Sequence, residues 1–201
     1  MPAVHAIIDD FLGPRQAARL LGFAIANEKR FAPSDVHLSA PARSHRAMRR
    51  SLSLAEGHDD ALGEFHRALD ARKESLRASL GVPGFTECER EVDFVAHRDG
   101  HHYRRHVDAL SGTARVQTAA DRMISLVYYL HREPRAFSGG ELDLFAVPGG
   151  ARHRVEPRHD RLVAFSSIVP HEVRPIALPG NAFADARFSV ACWLCRARRQ
   201  G

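Results

Sequence analysis

Along the first eighty residues the apolar positions follow a helical rhythm, and beyond Pro83 they follow a strand rhythm. "HAIIDDFL" opens the chain as a short strand, and Pro14 then starts "PRQAARLLGFAIANEKRF". In that segment Ala18, Leu21, Phe23 and Ile25 form the expected apolar face of an amphipathic helix. Residues 35–55 are polar and arginine-rich and predict irregular structure. From Asp59 to about Leu80, Leu62, Phe65, Leu69, Leu76 and Leu80 recur at helical spacing, and "GVPG" ends the segment.

After Pro83 short runs rich in β-branched and aromatic residues alternate with turn clusters. The runs are "REVDFVAH", "HYRRHVDA", "MISLVYYLH", "ELDLFAV", "HRVEP", "RLVAFSS", "HEVRPIA" and "RFSVACWLC", and the turns are "FSGG", "VPGG" and "LPGN". Eight short strands at this spacing predict a jelly-roll sandwich or barrel. The fold class is therefore α+β, mainly β, with flanking N-terminal helices. We assign a single domain over 1–201, with 1–82 as a helical support region, 83–196 as the β core and 197–201 as a basic tail. At 201 residues such a domain buries roughly 70% of its unfolded surface and needs no disulfide framework.

Composition narrows the function classes. The net charge of +5 owes three units to Arg196, Arg198 and Arg199, and a second basic group lies at 43–50. Neither run carries interleaved aromatics, so both read as solvated arginines and a nucleic-acid partner is disfavoured. Three widely spaced cysteines, Cys88, Cys192 and Cys195, fit a reducing cytoplasm. On a strand Cys192 and Cys195 face opposite ways, so "CWLC" predicts neither a metal clip nor a disulfide. "MPAVHAIIDDFLGP" has no basic leader and its apolar run is cut by Asp9 and Asp10, so it reads as neither a signal nor an anchor. No apolar run reaches the roughly 20 residues of a membrane span.

Candidate chemistry starts from "GHHYRRHVDAL". On a strand, residues two apart share a face, so His106 and Asp108 project together with Arg104. His101 and His102 flank the Gly100 turn and point oppositely. A third ligand from a neighbouring strand would complete a facial triad of two histidines and one carboxylate, which leaves positions open for O2 chemistry at a ferrous ion. His131, His153, His159 and His171 are candidates. His171 is the choice, because "FSSIVPHEVRPI" places it just past an apolar strand and a proline. In "ARFSVACWLC", Arg187, Ser189, Ala191 and Trp193 share one face, and an arginine two before a serine suits bidentate capture of a carboxylate. Trp193 and the strand phenylalanines otherwise read as core. "SGGELDLF" lacks the strand-to-helix context of a phosphate loop and reads as a turn.

The ordered set H-x-D, "YYL", "SGGELDLF", "DRLVAFSS…PHEVRP" and "RFSVACW", over about residues 90–196, resembles the Fe(II)- and 2-oxoglutarate-dependent dioxygenases. The prolyl-4-hydroxylase-like branch is the nearest match, and "IIDDFLGPRQAARLL" resembles its strand–helix entry. The resemblance implies a double-stranded β-helix, with iron on His106, Asp108 and His171. It implies that Arg187 pairs with the distal carboxylate of 2-oxoglutarate, aided by Ser189 and Tyr129, and that Tyr103 lines the pocket. The cosubstrates implied are 2-oxoglutarate and O2, with ascorbate as candidate reductant. The reaction implied is hydroxylation of an unactivated C–H with release of succinate and CO2. A prolyl residue of a protein or peptide leads as substrate, and a free amino acid or small metabolite is the alternative. A base demethylase stands third, and a non-catalytic metal-binding jelly-roll sensor or interaction module is the reading from another class. Residues 43–50 and 177–185 are the expected substrate walls, the latter as an inserted loop.

Overall fold

The computed structural model of the chain describes residues 3–34, 48–111, 115, 118–147 and 149–198. Residues 43–47 of the basic stretch and 199–201 of the tail lie outside the described residues.

The backbone of the fold is the last strand. Arg187–Ala197 pairs antiparallel along nearly its whole length with Glu87–His97 on one side and Ala120–Leu130 on the other. In chain order the strands are β1 (His5–Ile8), β2 (Ala32–Pro33), β3 (Arg49–Arg50), β4 (Leu52–Leu54), β5 (Glu87–His97), β6 (His102–His106) and β7 (Ala120–Leu130). They continue as β8 (Ser138–Gly139), β9 (Leu142–Phe145), β10 (Arg152–Val155), β11 (Arg161–Ser166), β12 (His171–Val173), β13 (Ile176–Ala177) and β14 (Arg187–Ala197). The larger sheet runs β1-β11-β7-β14-β5-β4-β2, the smaller runs β10-β9-β12-β6-β3, and β13-β8 form a short ribbon. All eight predicted strand runs are present, and the two-sheet architecture is the jelly roll expected.

Period-2 alternation divides the larger sheet. Phe188, Val190, Cys192 and Leu194 of β14, with Phe94, Leu126 and Leu162 beside them, enter the main core. The helices α1 (Pro14–Ala26), α2 (Gly63–Asp70) and α3 (Lys73–Ser79) cover that face through Leu20, Phe65, Leu69 and Leu76. The opposite face carries Tyr129, Val163 and Phe165, which meet Leu142, Leu144 and Val155 of the smaller sheet. Each fully buried large apolar side chain contributes about 1.5–3 kcal/mol, so both faces hold the sandwich together. The space between the sheets holds the candidate site.

Several expectations change. α1 buries Ala17, Leu20 and Ala24, while Ala18 is exposed and Leu21, Phe23 and Ile25 are half-buried. Two alanines let the helix lie close to the sheet, which moves the buried stripe by one position. The predicted 59–80 helix is two helices. Arg72 leaves the helical region (φ −123°), and the break lets Asp70 meet Arg90 at 2.7 Å and Lys73 meet Glu87 at 2.8 Å. The described part of the first 82 residues supplies four strands rather than one, with Arg49–Arg50 and Leu52–Leu54 pairing with β6 and β5. Ser138–Gly139, expected as part of a turn, bridges to β13.

Residues 177–185 are not a loose insertion. Leu178 packs with Phe137 and Ile176, and Phe183 stacks edge-on against Phe31 and Phe188 at 5.2 and 5.1 Å. Arg196 and Arg198 are likewise not frayed, since both reach Asp121, at 3.6 and 3.4 Å.

Burial of histidines sets an acid limit on stability. Burial pushes the His97 imidazole well below its usual range, with Arg187 adding to the shift, and takes His101 down to about 4. His5, His66 and His131 shift the same way, burial being the first cause. An imidazole with a depressed folded pKa binds more protons when unfolded. Its contribution is complete above about pH 6.5 and is lost as pH falls toward about 4. The ion-paired Asp9, Asp70 and Asp121 are shifted down by their arginine partners, so their stabilisation is lost only below about pH 4. The metal-free chain is expected to lose at least about 5 °C of Tm between pH 7.5 and 5 by scanning calorimetry. A flat profile would contradict this.

Candidate metal centre

β6 and β12 lie side by side with His106 opposite His171 in register, and His171 is also opposite Leu144 of β9. Direct cross-strand partners bring their side chains together, and the two imidazole centroids are 4.2 Å apart. β6 ends at His106, so Asp108 is not on the strand as expected. Its position comes from a loop anchored by the Asp108 and Ala109 N–H groups donating to the Ser167 carbonyl at 3.1 and 2.9 Å. One ligand atom from each of His106, Asp108 and His171 lies within 4.8 Å of the others, so the structure brings the three candidates together.

Hydrogen bonding fixes the tautomers. His106 Nδ1 lies 2.7 Å from the Arg104 carbonyl, and His171 Nδ1 lies 3.0 Å from the Val169 carbonyl. A carbonyl only accepts, so each Nδ1 carries hydrogen and donates, and each neutral ring keeps its lone pair on Nε2. Those two Nε2 atoms face Asp108, each 3.5 Å from a carboxylate oxygen. Burial pushes His171 down to about 4, so it is neutral at pH 7. Burial alone would raise Asp108, yet the adjacent His171 and His106 hold it below the ordinary carboxylate range. In their neutral form both rings turn an Nε2 lone pair toward the same carboxylate, and a two-histidine, one-carboxylate set suits a ferrous ion.

The surrounding side chains stiffen the cluster. Tyr103 stacks on His106 at 3.5 Å and 17°, and Phe165 meets His171 edge-on at 4.7 Å. Tyr103 therefore backs a candidate ligand directly. The Arg104 side chain is exposed, and only its carbonyl serves the cluster. His131 and His159 face each other and His153 packs on His5, so none of these candidates joins. His101 is buried near His97, and His102 is half-buried.

A second polar group lies on the same inner face of the larger sheet. Arg187 is 1% exposed and makes no ion pair among the described residues. Its Nη1 donates to the Gly140 carbonyl at 2.9 Å and its Nη2 to His97 Nδ1 at 2.8 Å, while Nε has no partner among the described residues. Its guanidinium carbon is 5.2 Å from the centre of the Tyr129 ring, whose hydroxyl is also buried without a partner among the described residues. Ser189 is buried opposite Tyr129 in register. The close approach at Gly140 (φ +73°) explains the glycine: a Cβ there would sit 2.8 Å from Ile176 and 3.3 Å from Arg187 Cδ.

Trp193 corrects another expectation. It is half-buried rather than core, with the Arg122 guanidinium 4.1 Å from its ring and Glu91 paired to that arginine. His97 was not singled out by sequence reasoning. Its place opposite Arg187 depends on pairing between segments ninety residues apart, for which local spacing carries no signal.

The fold and the cluster together define a jelly-roll protein with a candidate site for one divalent cation and a buried arginine that has no counter-ion among the described residues. Residues 92–195 match the model of the 2OG-Fe(II) oxygenase superfamily. A PKHD-type hydroxylase of Synechocystis sp., itself uncharacterized, is 30% identical over 203 residues, spanning 96% of this chain and 64% of that protein. The chain thus spans about two thirds of the length of the curated relative it matches. Among solved structures, a Pseudomonas putida prolyl-4-hydroxylase superposes with a TM-score of 0.67 at 25% identity, over 96% of this chain and 92% of its own. A Trichoplax adhaerens prolyl hydroxylase, solved with a hypoxia inducible factor oxygen degradation domain peptide fragment, shares the fold. Its TM-score is 0.67 at 20% identity, covering 94% and 82%. The chain belongs to the 2OG-Fe(II) oxygenase superfamily, in its prolyl-4-hydroxylase-like branch. Fe(II), 2-oxoglutarate and O2 are the cofactor and cosubstrates of that family.

Proposed function

We propose that the chain is a 2-oxoglutarate-dependent hydroxylase acting on a prolyl residue of a protein or peptide. His106, Asp108 and His171 would hold the ferrous ion, and Arg187 with Tyr129 and Ser189 would hold the cosubstrate. The observation that carries the reading is the buried guanidinium of Arg187, which pairs with no carboxylate among the described residues. A buried unpaired charge costs several kcal/mol, and an external carboxylate offsets that cost through charge-assisted hydrogen bonds. A 2-oxo dicarboxylic acid fits both requirements: one carboxylate for the arginine and a chelating 2-oxo acid end for the metal.

When bound, the ferrous ion and 2-oxoglutarate supply oxidative decarboxylation to succinate and CO2 coupled to C–H hydroxylation. The chain's own residues position and exclude water. The Nδ1–H bonds to Arg104 and Val169 aim both imidazoles, and Asp108 stays ionised as an acceptor. Tyr103 and Phe165 limit ring rotation, while Leu142, Leu144, Val163 and Phe165 form a dry wall.

The prolyl substrate is supported by the likeness to the Pseudomonas putida prolyl-4-hydroxylase. It is tested by incubating the iron-loaded chain with proline-containing peptides and, separately, with free amino acids. Gain of one oxygen atom on proline in the peptides, dependent on 2-oxoglutarate, is the expected result. Oxygen gain confined to the free amino acids would move the substrate to small metabolites.

A further inference from the structure

Resting on the reading of His106, Asp108 and His171 as a metal centre, we propose that Ser125 and Ser167 are a positioning pair. Their buried hydroxyl bond fixes one short turn, and that turn aims two of the three candidate ligands. It comprises residues 167–170, between β11 and β12. The Ser167 carbonyl accepts from the Asp108 and Ala109 N–H groups at 3.1 and 2.9 Å, which holds Asp108 in place beyond the end of β6. Two residues further on, the Val169 carbonyl accepts from His171 Nδ1 at 3.0 Å. The Val169 N–H closes the turn by donating to the Ser166 carbonyl at 2.9 Å. The carboxylate and one imidazole thus take their positions from carbonyls two residues apart.

β7 holds the turn. Ser167 is fully buried, its N–H donates to the Met123 carbonyl at 3.1 Å, and its hydroxyl lies 2.9 Å from that of Ser125. Ser125 is buried too, opposite Phe165 and Trp193 in register, on the face of β7 that also carries Val127 and Tyr129. One buried hydroxyl left unpaired is costly, whereas replacing both partners by apolar groups of similar shape is nearly neutral. The sheet would therefore hold with two alanines here. What the hydroxyl pair adds is direction, because a hydrogen bond has a preferred length and angle and a methyl contact has neither. Asp108 needs that direction: it sits off the strand ladder, yet its two oxygens must each stand 3.5 Å from an imidazole Nε2.

The test separates direction from stability. Co(II) is titrated into the metal-free chain, with calorimetry reading its affinity and its ligand-field absorption reading the geometry around it. The double variant Ser125→Ala/Ser167→Ala is expected to keep its Tm within about 4 °C of the unaltered chain. It is expected to bind Co(II) about tenfold more weakly and with an altered absorption spectrum, as for loss of a group that orients a metal ligand. Unchanged affinity and spectrum would overturn the positioning role. So would a loss of affinity that only accompanies a large fall in Tm, which would assign the pair to the fold.

A second measurement uses the unaltered chain and so does not depend on how the variant folds. The hydrogen bonds of the turn do not involve the metal, so the Asp108, Ala109 and Val169 amides should be protected from hydrogen exchange in the metal-free chain. Rapid exchange of these amides, with protection appearing only when Co(II) is added, would overturn the proposal. The two levels of the argument fail differently. If the unaltered chain takes up no Co(II), the metal reading itself fails. If it does and the double variant matches it, only the serine pair is removed.

Discussion

His171→Ala is expected to abolish tight Fe(II) binding and 2-oxoglutarate-dependent turnover while leaving the metal-free chain folded. Losing a hydrogen-bond partner of a metal ligand costs about 10–100-fold in affinity or activity, and losing the ligand itself should exceed the top of that range. His171 contributes a neutral Nε2 aimed by the Val169 carbonyl, so no other group among the described residues can replace it from its strand position. The fold should tolerate the change, because the ring packs mainly on Phe165 and on the opposing His106. Equilibrium dialysis with Fe(II) and calorimetry of the metal-free variant check the two halves. Retained metal affinity, or global unfolding, would count against a ligand role.

Arg187→Met is expected to weaken 2-oxoglutarate binding by about one to two powers of ten, from the roughly 1.5–3 kcal/mol of a charge-assisted contact. The same substitution should leave Tm unchanged or raise it. The guanidinium is buried against a carbonyl and a neutral histidine with no counter-ion among the described residues. Replacing an unpaired buried charge with an apolar side chain of similar length removes its desolvation cost. Loss of cosubstrate affinity with equal or better stability is the mark of a residue kept for binding. A large fall in Tm with unchanged 2-oxoglutarate affinity would assign Arg187 to the fold instead.

How far the chain could be read from sequence differs by element. On β14 a two-residue period is enough: Arg187 and Ser189 point between the sheets, while Phe188 and Val190 enter the main core. The "HVD" spacing was also sufficient for the pairing of His106 and Asp108, though the carboxylate is placed by a loop bond to Ser167 rather than by a strand. His171 could be chosen because the proline before it ends an apolar strand. The misses depend on tertiary contacts. The α1 stripe moved because small alanines govern how closely a helix meets a sheet. The 59–80 helix broke where Asp70 and Lys73 meet β5. His97 acquires meaning only once β5 lies against β14. Residues 177–185 looked like a loop because Leu178 and Phe183 find their partners far along the chain.

On the proposed reading, His106, Asp108 and His171 would share a divalent ion, and Arg187 would hold the far end of a dicarboxylic 2-oxo acid. The most direct measurement is an anaerobic titration of the wild-type chain with Fe(II) and then 2-oxoglutarate, followed by visible absorption and by succinate release on admitting O2. Saturable growth of the weak visible band of a ferrous 2-oxo acid chelate is predicted, followed by succinate even without substrate, with His171→Ala giving neither. A chain that binds Fe(II) but shows no band and no succinate at saturating 2-oxoglutarate would contradict the account.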